Sequence, residues 1–272
     1  MSILNSRKVI ILSCIACGFL AGCGSSAPVR HSDGPPATAV DVAAIPDAVP
    51  RVEPRSRYGN PDSYEVYGKR YYVMNNSEGY VERGIASWYG KKFHGRRTSS
   101  GEAYNMYAMT AAHKSLPLPT YVEVINLENS RSVIVKVNDR GPFHENRIID
   151  LSYAAASKLG IIGRGTGLVE VRAINPRTYA GKQKPTAYRL VANKAVTEFY
   201  IQIGAFSELD NAEYMLRKVN MKDDLVNISQ ALVNGQTLYR VRIGPIRDIM
   251  VSDRIVDELL GKGIYDHRIV ID

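Results

Sequence analysis

Apolar and polar positions first alternate regularly near residue 84, and the pattern predicts a series of short strands through residue 173. Residues 84–88, 108–111, 121–126, 132–138 and 168–173 are strand-like runs separated by turn-rich segments. The clearest begins at Val133: Val133, Val135 and Val137 alternate with Ile134, Lys136 and Asn138, and β-branched residues suit a pleated, half-buried surface. The run breaks at Asn138-Asp139-Arg140-Gly141-Pro142, a cluster of turn formers. A second apolar run, Ile148-Ile149, ends in Asp150, and a short helix is predicted over 152–159. Two carboxylates therefore stand at strand ends, flanked by Arg140 and Arg147, where a rigid scaffold can aim side chains into a cleft.

A second pattern begins near residue 198. Tyr200, Gln202 and Gly204 alternate with Ile201, Ile203 and Ala205 as a strand. Ala212, Leu216 and Val219 then form one helical stripe with Met215 beside it. Two strand-like runs surround Asn234-Gly235, a strong hairpin signal. A helix over 249–260 and a strand over 267–271 complete the order βαββαβ, whose helices would cover one sheet face and leave the other open.

The amino terminus changes the compartment. Arg7 and Lys8 precede a mostly apolar run over 9–20 that is too short to span a bilayer, the pattern of a signal peptide over 1–22. It ends in Leu20-Ala21-Gly22-Cys23, which resembles the bacterial lipobox and implies cleavage before Cys23 and lipidation of its thiol. Gly24 after it resembles lipoproteins passed on to the outer membrane. Cys14 and Cys17 lie in the leader, so the mature chain is expected to have no disulfide and no thiol metal site. Residues 24 to about 65 are rich in Pro, Ala and Ser and read as a disordered tether. Tyrosines then gather at 58, 64, 67, 71, 72 and 80, in a segment that is either a packed approach to the first strand or a sticky linker.

The net charge is +8, and losing Arg7 and Lys8 with an acid-free leader makes it +6. A basic exported protein favours an acidic wall or membrane surface; nucleic acid is not expected of an exported lipoprotein. His94, His113 and His144 match no zinc spacing, so no metal and no cofactor are assigned. No Ser/His/Asp signature, phosphate loop or dinucleotide fingerprint occurs.

The stretch NDRGPF (138–143) with RIIDLSYAAASKLG (147–160) resembles the double-psi β-barrel of the rare lipoprotein A family. GIASWYGKKFHGRRTSSGEAYNMYAMTAAHKSLPLPTYVEVINL (84–127) resembles the first half of the same domain. QIGAF and YRVRIGP, within 198–272, resemble a SPOR domain. The resemblance implies a mainly β plus α+β chain, a six-stranded double-psi β-barrel followed by a βαββαβ SPOR domain. It gives a leader at 1–22, a lipid-anchored tether and approach at 23–79, the barrel at 80–175, a linker at 176–193 and the SPOR domain at 194–272. The implied activity is endolytic lytic transglycosylation of peptidoglycan, on glycan strands without stem peptides, during cell separation at the septum, with divisome proteins as possible partners. Barrel endoglucanases and expansins share the fold, so a non-catalytic, expansin-like wall binder and a hydrolase stand as alternatives.

Asp139 is the first candidate for the general acid/base, since a residue that protonates a glycosidic oxygen near neutral pH needs a raised pKa. A carboxylate that only hydrogen-bonds its own turn is the competing reading, and the family resemblance favours activity. Asp150 is a second acid or an orienting residue, with Ser152 the better-placed helix cap. Glu102 and His113 match family positions linked to activity; a loop glutamate is otherwise usually solvated and a lone histidine usually structural. Trp88 and Tyr89 in SWYG, with Arg140, are candidate substrate contacts, although a sole tryptophan is more often core. In the terminal domain the candidates are Tyr200, Gln202, Tyr239, Arg240 and Arg242, whose donors suit sugar hydroxyls and carbonyls.

Overall fold

The computed structural model describes residues 33–36, 38, 40–179, 198–221 and 225–271. The expected leader, the lipidation site Cys23 and residues 180–193 of the expected linker lie outside the described residues.

Six strands close into a barrel: β3 (Val81–Tyr89), β4 (Thr110–His113), β5 (Thr120–Asn126), β6 (Ser132–Asp139), β7 (Arg147–Ser152) and β8 (Thr166–Ala173), in the order β3-β7-β4-β6-β5-β8. The pairs β3–β7 and β4–β6 are parallel and the other four antiparallel. Alternate residues point inward, and Ala86, Ala111, Val122, Val124, Val133, Val135, Val137, Ile149, Leu151, Val169 and Val171 fill the interior. Side chains can fill so small a barrel completely.

Helix α1 (Tyr153–Leu159) packs three alanines and Leu159 into the same core. Ser152 caps it by accepting from the Ala155 N–H, so Asp150 is free of that duty, and Gly160 ends it at φ 82°, a left-handed turn suited to glycine.

Residues 41–62, expected to be a disordered tether, lie along the barrel instead. Ala48 N–H donates to Ile134 O (3.0 Å), Asp47 pairs with Lys158 (2.7 Å), and Asn60 exchanges two 2.8 Å hydrogen bonds with the Leu118 backbone. Their low apolar content fits a segment that docks through polar groups and a few side chains, Ile45 and Ala48 among them, on a core built elsewhere. The tyrosine-rich stretch folds as the hairpin β1 (Ser63–Val66) and β2 (Lys69–Tyr72), with Tyr64 stacked on Tyr71 (5.3 Å between centroids).

The carboxyl-terminal region has the expected order: β9 (Phe199–Phe206), α2 (Leu209–Val219), β10 (Val226–Val233), β11 (Gln236–Ile246), α3 (Ile249–Gly261) and β12 (Arg268–Val270). Its sheet runs β10-β11-β9-β12, all antiparallel. Asn234 and Gly235 both have positive φ (50° and 78°), as a two-residue hairpin with the strand twist requires. Phe199, Ile201, Ile203, Val241 and Ile243 pack with Ala212, Val219, Val256 and Leu259 of the helices.

Candidate active site

Strand β4 holds the key to the geometry. Ala112 pairs with Asp150 on one side and with Asp139 on the other. Adjacent strands lie about 4.8 Å apart, so the two aspartates stand on one rung with Cα atoms about 10 Å apart. A register shift between Ala111 and Ala112 leaves Asn138 as an extra residue on β6. Such bulges re-aim the next side chain; here Val137 faces the core and Asp139 faces out with Ala112. Ala112 packs under Tyr89, Tyr104 and Met106, so this rung has an aromatic wall, with Tyr89 and Tyr104 stacked at 4.2 Å.

Asp139 Oδ1 accepts three hydrogen bonds, from the Ser99 N–H (2.7 Å), the Ser99 hydroxyl (2.7 Å) and the Arg140 N–H (2.8 Å). No described residue hydrogen-bonds Oδ2. The loop around Ser99 is further pinned by Ser100 N–H to Asn138 O (3.2 Å). One oxygen is thus locked and the other left for a ligand.

Asp150 differs. Burial pushes its carboxyl up, opposed by a hydrogen bond from Ser87 and by the charges of Arg147, Lys114 and His144. The Ser87 hydroxyl donates to Asp150 Oδ1 and accepts from Arg147 Nη1 (3.0 Å), a relay that fixes the carboxyl's direction.

Glu102 hangs beside the bulge, accepting from Lys136 Nζ (2.8 Å) and Asn138 Nδ2 (2.7 Å). Burial pushes its carboxyl up, but these hydrogen bonds and the Lys136 charge outweigh it and hold the group below the usual carboxylate range. Lys136 also pairs with Glu53 (3.0 Å), which Tyr121 and Arg51 hydrogen-bond as well. Burial raises the Glu53 carboxyl, and those three partners bring it down to about 2.

His113 is buried, and burial, reinforced by the Arg140 and Lys114 charges, pulls it down to about 3. Nδ1 accepts the N–H groups of Ser115 (3.1 Å) and Leu116 (3.0 Å), so the neutral ring carries its proton on Nε2, which faces the Tyr80 hydroxyl at 2.8 Å. Tyr80 in turn donates to Glu82. His113 is a neutral strut, and neither ring nitrogen meets Asp139 or Asp150.

Arg140, read from the sequence as a substrate contact, is committed elsewhere. Its guanidinium donates to Leu116 O (2.6 Å), Gly59 O (2.8 Å), His113 O (3.1 Å) and Asn60 Oδ1 (3.2 Å), and lies over the Tyr64 ring at 5.8 Å. Burial lowers it to about 10. It turns away from the Asp139 carboxylate and knits three loops together. Trp88 is half-buried on the barrel core, edge-on to Tyr153 (5.9 Å), while Tyr89 faces the acid rung.

In the terminal sheet, Tyr200, Gln202, Arg240 and Arg242 share the face away from the helices. Gln202 and Arg242 are buried and bonded to one another (3.4 Å), with Arg242 over Tyr200 (5.7 Å). Tyr239 is on the opposite side, packed against the helix-covered core, and does not join them. Arg240 and Arg242 line a cavity of about 930 Å³ with Arg83, Arg147, Arg172 and Arg268; Asp139, Asp150 and Glu102 are not among its lining residues. Among the described residues no cluster of His, Cys, Asp and Glu could hold a metal ion.

Sequence reasoning missed Ser87, Ser99, Tyr104 and Lys136. They are common residues whose roles come from contacts with segments distant in the chain, Ser87 and Lys136 on strands and Ser99 and Tyr104 on the loop between β3 and β4, and no local signal marks them.

Residues 81–172 match the family described as lytic transglycolase, and residues 195–265 match the SPOR domain family. The chain is 39% identical to the endolytic peptidoglycan transglycosylase RlpA of Pseudomonas aeruginosa, covering 90% of this chain and 91% of that protein. It is 40% identical to the protein of that name from Vibrio cholerae, covering 93% and 92%. Residues of the carboxyl-terminal region resemble the crystal structure of the RlpA SPOR domain from P. aeruginosa, at 32% identity over 26% of this chain and 96% of that one, with a TM-score of 0.25. Identity of this extent, over both matched regions and nearly the whole length of the relatives, shows that the chain belongs to the RlpA family.

Proposed function

We propose that the protein is an endolytic peptidoglycan lytic transglycosylase, cutting the bond between N-acetylmuramic acid and N-acetylglucosamine with formation of a 1,6-anhydro end. The observation that carries this is the outward rung of Asp139, Ala112 and Asp150 under the Tyr89–Tyr104 wall. The C6 hydroxyl of the muramic residue attacks its own C1, so no water is needed and proximity does much of the work. Asp139, with Oδ1 locked and Oδ2 available, protonates the leaving oxygen and takes the hydroxyl proton. Glu102, held anionic by Lys136, stabilises positive charge developing at C1. Asp150 is a second carboxyl, oriented by Ser87, and His113 keeps the β4 end rigid.

The helix-free face of the terminal sheet, with Tyr200, Gln202, Arg240 and Arg242, binds glycan and directs the enzyme to septal strands without stem peptides. Lipidation at Cys23 holds it to the periplasmic side of the envelope, at the outer membrane, and the residues between Cys23 and Asp33 link the anchor to the barrel. Several acyl chains on one thiol anchor stably, at about 0.8 kcal/mol per buried CH₂.

The test is digestion of purified glycan strands, with and without stem peptides, by protein beginning at residue 24. Anhydro ends are the expected product. Reducing ends would make it a hydrolase, and binding without cleavage would favour the expansin-like wall binder.

A further inference from the structure

The turn after Tyr89 already holds a carboxylate. Asp33 Oδ1 accepts the N–H groups of Gly90 (3.1 Å) and Lys92 (3.2 Å), and its Oδ2 also accepts from Gly90 (3.1 Å). The Gly34 carbonyl accepts from Lys91 N–H (3.0 Å). The N–H groups of Gly90 and Lys92 therefore meet on one carboxylate, while the Lys91 N–H between them is held by a neutral carbonyl; two main-chain donors of one turn aimed at one carboxylate make an anion-binding concavity, or nest. Gly90 lets the Asp33–Gly34 segment approach this closely, because a Cβ there would lie 2.1 Å from the Gly34 oxygen.

The surroundings are built for an anion. Lys91, Lys92, Arg96 and Arg97 lie within eight residues, and no acid occurs between 90 and 101. Phe93, exposed, is flanked by Lys92 (5.7 Å) and Arg96 (6.0 Å) and offers an apolar face. The nest also borders the acid rung. Tyr89 precedes it, and the Tyr104 hydroxyl, bonded to Tyr89 O at 2.5 Å, feels the charges of Asp33, Asp139 and Asp150 together.

We propose that the Gly90–Lys92 main chain is a carboxylate subsite of the cleft, filled by Asp33 in the free protein and by the lactyl carboxylate of a muramic residue in the substrate complex. This rests on the glycan-cleaving reading above and deepens it. A muramic residue carries that carboxylate free only when its stem peptide has been removed; with the stem attached it is a neutral amide. One site then explains both selection of stem-free strands and a built-in competitor that keeps the cleft closed until such a strand arrives.

The experiment uses ¹⁵N-labelled protein beginning at residue 24, which keeps every described residue. The probe is the disaccharide N-acetylglucosaminyl-N-acetylmuramic acid, which lacks the scissile linkage. It is compared with its lactyl methylamide and with a stem-bearing disaccharide whose carboxylates lie farther out. The free acid is expected to shift the amide signals of Gly90, Lys91 and Lys92 and to bind more tightly than either amide. Asp33→Ala should tighten binding of the free acid about fivefold or more, since an apparent dissociation constant scales inversely with the open fraction. Equal binding of acid and methylamide, or an unchanged affinity in Asp33→Ala, would overturn the subsite. If all three probes shift the Tyr89 and Tyr104 signals equally while the nest stays silent, only the subsite fails. If none binds the cleft, the subsite and the glycan reading fall together.

Discussion

Replacing Arg140 separates a scaffold role from a substrate role. In the structure its guanidinium serves four main-chain carbonyls and the Asn60 side chain, at 2.6–3.5 Å. Arg140→Ala strips all five acceptors of a charged donor. A buried acceptor left bare costs about 1–3 kcal/mol, and water will re-enter this half-buried site for some of them, so the net loss is about 3–5 kcal/mol. Arg140→Lys can satisfy part of the set and should lose about half as much. The sole tryptophan, Trp88, is on β3, so its fluorescence during urea unfolding follows the barrel alone. The expected order of stability is wild type, Arg140→Lys, Arg140→Ala. An Arg140→Ala protein within 0.5 kcal/mol of wild type that no longer binds glycan would refute the scaffold reading and return the guanidinium to the substrate.

Three further outcomes follow from the site. Acid should destabilise the barrel in two stages. His113 is held neutral down to about pH 3 in the fold but takes a proton near 6.5 when unfolded, and Glu53 stays ionised to about pH 2 against about 4.3 unfolded. In both cases the unfolded chain binds protons first, so stability falls with pH from about 6.5 for His113 and from about 4.3 for Glu53; a Trp88-monitored urea midpoint unchanged down to pH 4 would contradict this. Glu102→Gln should keep the fold and lower kcat by about tenfold to hundredfold through loss of a fixed charge, with little change in KM. Ser87→Ala removes the hydrogen bond that holds the Asp150 carboxyl down, so the limb of the pH–activity profile set by Asp150 should move to higher pH, and an unmoved profile would take Asp150 out of the chemistry.

Much of this fold is legible because alternate residues of its strands face the barrel interior. Val133–Val137, Ile149 and Leu151 repeat every second residue, and a period of two leaves little choice of register. Ser152 as helix cap and Asn234-Gly235 as hairpin turn are equally local, and both stand where the pattern predicts. Asp139 ends β6 as expected, whereas Asp150, expected at a strand end, lies inside β7 because the strand runs on through Leu151 and Ser152; the two acids could be read as a pair, but their meeting on either side of Ala112 could not. That depends on the Asn138 bulge and on a strand order in which β4 lies between β6 and β7. Arg140 misleads because its direction is set by carbonyls from residues 59 and 113–116, far along the chain. Tyr239 misleads by one position, since its neighbours Arg240 and Arg242 flank the same strand, yet it falls on the covered face. Residues 41–62 look like a tether because composition reports what a segment can bury alone, not what it can dock upon.

The central claim is that Asp139 performs the proton transfer. The most direct measurement is the yield of 1,6-anhydro ends, by mass spectrometry, from stem-free glycan strands treated with wild type and with Asp139→Asn, with Trp88 fluorescence confirming equal folding. The account expects abundant anhydro ends from the wild type and a fall of about a thousandfold or more in Asp139→Asn, with glycan binding retained. Cleavage by Asp139→Asn within tenfold of wild type would contradict it.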